Sequence, residues 1–191
     1  MKTCNGSNWL DNLTKSEVER YVNLVLNFRT TDVRNRSFNR VCNGYFHNRG
    51  KNLTLDNLNK YYKLLENYKK QQNIPDYQTV LSDIYKATEV FAPTLASQAM
   101  HLLNNNLPVF SAPALRNAKM TNPNYPYLSI KERIERATKT YKDYTNFISE
   151  FRDKYGDKII ADFKAFAKRL NIQGVETITD TKIIDFYFWK K

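Results

Sequence analysis

At 191 residues, 41% hydrophobic and 14% aromatic, the chain can bury a core of its own, which excludes disorder throughout. Five Gly are too few for a dinucleotide-binding sheet or a phosphate-binding loop, two Cys (Cys4, Cys42) and two His (His47, His101) cannot build a disulfide framework or a zinc site, and no apolar run reaches the roughly 18 residues of a membrane helix. Thirty Lys and Arg against 19 Asp and Glu leave a formal charge of +11, which favours an anionic partner, nucleic acid before acidic protein or membrane surface.

Apolar residues recur at helical spacing almost throughout. Thr14-x-x-Glu17 and Ser16-x-x-Glu19 are overlapping capping boxes and predict a first helix with Val18, Tyr21, Val22, Val25 and Phe28 on its apolar face. A second helix carries Phe38, Val41, Cys42, Tyr45 and Phe46 and is expected to end at the Asn48-Arg49-Gly50 turn. From Arg29 to Lys51 the charge is uneven: Arg29, Arg34, Arg36, Arg40, Arg49 and Lys51 stand against one acid, Asp32, interleaved with Asn35, Asn39, Asn43, Asn48, Tyr45 and Phe46. Arg and Asn donate well to phosphates and base edges. Arg34, Arg36, Arg40, Arg49 and Lys51, with Arg116 and Lys119 further along, are therefore the candidate DNA-binding residues; a plain solvated basic face is the alternative.

Leu55, Leu58, Tyr61, Tyr62, Leu65 and Tyr68 predict a third helix that stops before Asn73-Ile74-Pro75, where Pro75 can open a fourth with Tyr77, Val80, Leu81, Ile84 and Tyr85. Pro93 opens a fifth through Leu95, Ala96, Ala99, Met100 and Leu103, ended by Asn104 to Asn106 and Leu107-Pro108. Phe110 to Ala118 reads as a short helix, and Thr121 to Tyr127, with Pro123 and Pro126, as a loop. Ser129-x-x-Glu132 caps a long helix toward Tyr155, with Gly156 as its end. Asp157 to Leu170 is a further helix, and Thr179 caps a last one through Ile183, Ile184 and Phe188. No segment alternates like a strand. The reading is an all-α protein of eight to nine helices, one compact domain over residues 1–191, with or without a division into two lobes.

Two His and no Cys in a nucleophile turn exclude Ser-His-Asp and Cys-His catalysis, which leaves carboxylates as the plentiful acid–base groups. Asp83, Glu89 and Asp185 read as partly buried. Asp185 stands out because Ile183, Ile184, Phe186, Tyr187, Phe188 and Trp189 surround it. An acid in such a run is paired, for instance with Lys182, or caps a helix, or is functional.

Leu95-Ala96-Ser97-Gln98-Ala99-Met100, then Leu107-Pro108-Val109-Phe110-Ser111, then Leu115-Arg116-Asn117, resemble in order the S-F-A-S-K-L-L, L-P-V-W-D and L-K-N stretches of a group of bacterial helical proteins similar to the helix-hairpin-helix DNA glycosylase superfamily. Asn35-Arg36-Ser37-Phe38, Tyr45-Phe46 and Lys182-Ile183-Ile184-Asp185-Phe186 with Trp189 resemble that group as well. The resemblance implies a glycosylase-like helical fold and a DNA partner. It also marks departures. Ser111 stands where those enzymes carry a catalytic Asp, Gln98 where bifunctional members carry a Lys nucleophile, and Phe91-Ala92-Pro93-Thr94 where a glycine hairpin grips a phosphate. A Schiff base is therefore not expected at Gln98.

The function expected from this is a DNA-binding, monofunctional glycosylase that excises a damaged or modified base, with modified phage cytosines as one such target and defence as one setting. Asp185 or Glu89 would supply the anion that Ser111 cannot, and Asp185 and Ser111 are the candidate catalytic residues. Gln98 and His101 would read the base edge; Phe110, Tyr187 and Trp189, with Tyr125 and Tyr127, are the candidate stacking surfaces. The protein is expected to act as a cytoplasmic monomer with no metal and no small-molecule cofactor. A catalytically inactive DNA-binding relative and a helical protein-interaction module are the rival readings.

Overall fold

Polar side chains set the helix starts. The computed structural model describes residues 9–48, 53–71 and 74–191; Cys4, Arg49 and Lys51 lie outside them. Thr14 and Glu17 form a reciprocal capping box, so α1 runs Lys15–Thr30. Ser16, the competing start, lies inside that helix and accepts from Arg20 instead. Asn35 caps α2 (Arg36–Phe46), Thr54 with Asn57 caps α3 (Leu55–Lys70), and Asp76 caps α4 (Tyr77–Thr88). Pro75 therefore does not open α4: it precedes the cap, and the Asp76 carboxylate satisfies the free amide of Thr79. Pro93 does open α5 (Pro93–Leu103), Ser111 caps α6 (Ala112–Asn117), the Ser129–Glu132 box caps α7 (Ile130–Arg169), and Thr179 caps α8 (Asp180–Lys190). Short 3-10 turns lie at Trp9–Asn12 and Val175–Thr177. The protein is all-α, with no strand among the described residues. No described helix is long and apolar enough to cross a membrane.

One further boundary differs from expectation. Gly156 does not divide α7, which runs unbroken for 40 residues. A glycine ends a helix by turning left-handed, whereas Gly156 stays helical and buried, with Arg152 Cγ 3.2 Å and Ile160 Cδ1 3.4 Å from where a Cβ would stand. The missing side chain makes room for Arg152, which reaches across to Thr181 Oγ1 in α8. The end of α2 is at Phe46, where His47 turns left-handed (φ 52°) and the His47 and Asn48 amides both close on the Asn43 carbonyl; Arg49 and Gly50 of the expected turn lie outside the described residues.

The centre of the molecule is α8. It lies along α7 and against α6 and the Trp9 turn, while α1 packs on α2, α3 on α4, and α4 on both α5 and α7. Phe186 stacks on Phe163 of α7 and meets the edge of Tyr21 of α1. Seven of the eleven α8 residues are buried, among them Thr181, Lys182 and Asp185. Past Asp180, which is exposed at its start, the helix is enclosed on nearly every side, so Lys182 and Asp185 are carried into the interior.

Candidate functional site

The C-terminal end of α2, the first turns of α5, the 107–111 segment, the start of α6 and the face of α8 enclose a cavity of about 220 Å³. The segment between α5 and α6 is held by three side chains. Ser97 Oγ accepts from the Phe110 amide (3.0 Å), His101 Nδ1 donates to the Leu107 carbonyl (2.6 Å), and the Tyr141 hydroxyl donates to the Pro108 carbonyl (3.3 Å). These clamps set Val109 and Ser111 in the cavity wall while Phe110 stays in the core.

On the α8 side of the cavity, Lys182 Nζ lies 2.8 Å from Asp185 Oδ2, and the Tyr144 hydroxyl donates to Asp185 Oδ1 at 3.2 Å. The two side chains are 3% and 5% exposed, which makes this a buried ion pair. Desolvating each ion costs several kcal/mol. The contact itself, the Tyr144 hydrogen bond and the rings under the ammonium (Phe186 at 4.6 Å, Tyr21 at 5.0 Å, Tyr45 at 5.9 Å) offset that cost. Gln98 Oε1 accepts from Asn48 Nδ2 (2.9 Å), leaving the Gln98 amide nitrogen without a partner among the described residues. Ser111 Oγ accepts from the Ala114 amide as the α6 cap.

Gln98, Ser111, Asp185 and Trp189 thus meet at one cavity, together with Tyr45, Phe46, His47 and Lys182. Three other predicted residues do not reach it. Tyr187 stacks on Phe151 and meets the edge of Trp9, and Phe110 is in the core. His101 is fully buried with both ring nitrogens engaged. The Leu107 carbonyl can only accept, so Nδ1 carries the hydrogen and Nε2 accepts from the Tyr21 hydroxyl at 2.8 Å. His101 therefore braces the wall and has no nitrogen left for a base edge. Of the other residues weighed, Asp83 is half-buried beneath Tyr68 and Lys86, Glu89 is exposed at the left-handed end of α4, Tyr125 lies edge-on to Phe91, and Tyr127 is exposed.

Burial, reinforced by the Lys182 charge, pushes the His101 pKa down to about 3. Unfolding restores it to about 6.5, so between these values the unfolded chain binds a proton that the folded one refuses. Stability is full above pH 6.5 and declines as pH falls, by up to about 1.4 kcal/mol per pH unit. Urea midpoints should fall from pH 7 to pH 5, and His101→Asn, whose amide can still donate to Leu107, should remove most of that slope. An unchanged slope would assign the pH dependence to another group.

Arg36 and Arg40 are exposed one turn apart on α2, and the same face continues through Gly44, with nothing within 4 Å of a would-be Cβ, to exposed His47 at the cavity. Arg34 is committed to Asp32, whose carboxyl its hydrogen bonds hold well below the usual range. Arg116 is exposed on α6, and Lys119 is exposed just beyond it at φ 58°. Lys182, Tyr45, Phe46 and His47 were not singled out as site residues from sequence. The available signal for Lys182 was its i, i+3 spacing to Asp185 in an otherwise apolar helix. Among the described residues no three His, Cys, Asp or Glu side chains gather to hold a metal ion. Set against known proteins, the chain matches no family model, no curated protein and no solved structure.

Proposed function

We propose that the protein binds duplex DNA and hydrolyses the N-glycosidic bond of a damaged or modified base turned out of the helix, acting as a cytoplasmic monomer without a cofactor. The observation that carries this reading is the cavity itself: the rings of Tyr45, Phe46 and Trp189, the Gln98 amide and the buried Lys182–Asp185 pair share one small volume. At about 220 Å³ it is smaller than the roughly 300–1,000 Å³ of sites for drug-sized ligands, and suits a single ring system. In the reaction the C1′–N bond breaks with its electron pair leaving on the base, and the sugar becomes an oxocarbenium ion. Asp185 offers its negative charge to the sugar, and Lys182 offers its positive charge to the departing base. Water adds its hydroxyl to C1′ and its remaining proton ends on the base. Opposite charges fixed in a desolvated wall act strongly on such a charge-separated transition state. Lys182 serves here as the ion-pair partner of Asp185 and not as a nucleophile, so the reaction proposed is hydrolytic.

The rival reading, a DNA-binding protein without catalysis, has one observation in its favour: both Asp185 oxygens are already engaged by Lys182 and Tyr144. Duplexes carrying single modified bases separate the two. Excision leaves abasic sites that alkali converts to strand breaks, whereas salt-dependent binding without breaks selects the inactive relative. The exposed face of α2 supports phosphate contact, with Arg40 about 9 Å along the helix from Phe46 at 1.5 Å per residue. The double change Arg36→Ala and Arg40→Ala should weaken DNA binding and lower its log–log salt slope by about one unit per lost phosphate contact. Unchanged affinity and slope would move the footprint off α2.

A further inference from the structure

The cavity wall is unbalanced between donors and acceptors. An ammonium carries three N–H donors and a primary amide two. Lys182 commits one donor to Asp185, and Gln98 commits none, since its hydrogen bond to Asn48 uses the carbonyl oxygen. This sense of the Asn48–Gln98 pair leaves the Asn48 carbonyl oxygen as a buried orphan among the described residues. The reverse sense would orphan the Asn48 NH₂, and a buried donor without a partner is the costlier of the two. The Ser111 hydroxyl spends its oxygen on the Ala114 amide and keeps its hydrogen. The acceptors around the same cavity each carry one hydrogen bond already: the Asp185 oxygens from Lys182 and from Tyr144, and Gln98 Oε1 from Asn48.

We infer that the cavity takes a carbonyl-bearing (oxo) ring, its exocyclic oxygen received by Lys182 and Gln98, in preference to the corresponding ring with an amino group at that position. The inference rests on the base-excision reading and narrows it to a substrate class. An amino group there would set its N–H groups against those of Lys182 and Gln98 in a desolvated site, with only acceptors that already carry a hydrogen bond to turn to, and a site built for one hydrogen-bonding pattern strongly rejects its inverse. The class also suits the reaction. When the C1′–N bond breaks, the electron pair left on an oxo base spreads onto the carbonyl oxygen, the atom that Lys182 and Gln98 receive. The donors therefore tighten their hold as charge develops.

Two pairs of free bases test this without DNA, because the members of each pair differ chiefly in carbonyl against amino: uracil against cytosine, and hypoxanthine against adenine. Equilibrium binding by calorimetry should favour the oxo member of at least one pair by tenfold or more, and Gln98→Met should shrink that ratio to about threefold or less. Wild-type protein that binds cytosine and adenine as tightly as their oxo partners, or binds none of the four, overturns the inference. Duplexes carrying uracil or hypoxanthine then test the function separately. An oxo preference with no abasic site in any duplex keeps the ligand class and removes the enzyme. Abasic sites arising only at amino-bearing modified bases keep the enzyme and overturn the ligand class.

Discussion

Asp185→Asn should cut base excision by about a hundredfold or more, the scale on which losing one fixed electrostatic partner of a transition state acts. The amide keeps the shape of the carboxylate and can still accept from Lys182, but it has no charge to set against an oxocarbenium ion. The change also leaves the Lys182 ammonium, only 3% exposed, without a counter-ion, and this costs stability. Rates are therefore compared well below the variant's melting temperature, with the folded fraction read from near-ultraviolet dichroism of the buried tyrosines. A second variant, Lys182→Gln with Asp185→Asn, removes both charges and eases the stability loss, and it should be as inactive as the single change. If excision falls only with the folded fraction, Asp185 is a structural residue. Neither Asp83 nor Glu89 lines the cavity to take its place, and that result would select the inactive reading.

Lys182→Met should lower stability by about 3–5 kcal/mol, the usual cost of leaving one half of a buried pair unpartnered. For a chain of this size that is a fall in Tm of roughly 6–20 °C. The loss comes from the stranded Asp185 carboxylate more than from any missing attraction. Removing all three polar partners, with Lys182→Met, Asp185→Leu and Tyr144→Phe together, should therefore recover most of it, since apolar replacement of a whole buried pair is often neutral or stabilising. Denaturation of the single and triple variants checks this, and a triple variant no more stable than the single one would contradict it. An interior that could hold an apolar cluster at no loss, yet carries an ion pair on a cavity wall, is the expected mark of a group kept for chemistry.

What the sequence determined by itself is local. Thr14, Ser129 and Thr179 act through amides three residues away, Pro93 through its own ring, and the apolar stripes through the 3.6-residue period, so the all-α class and most helix starts could be read without a structure. Gly156 misled because glycine has two uses: its local preference to end a helix gave way to the packing of Arg152 and Ile160 over it, which depends on α8. The candidate site divides in the same way. Asp185 was legible because a charge in an apolar run must be paired or used, and Gln98, Ser111 and Trp189 followed from the resemblance. Only the tertiary structure decided that these four line one cavity, because they come from elements as much as 91 residues apart in the chain. It also decided between His101 and Lys182. A lone histidine at helical spacing has no local mark that separates a reader of ligands from a brace. Tyr21 and Leu107, brought to it by folding, occupy both its nitrogens, while Lys182, drawn inward with the enclosed α8, stands at the cavity beside Asp185.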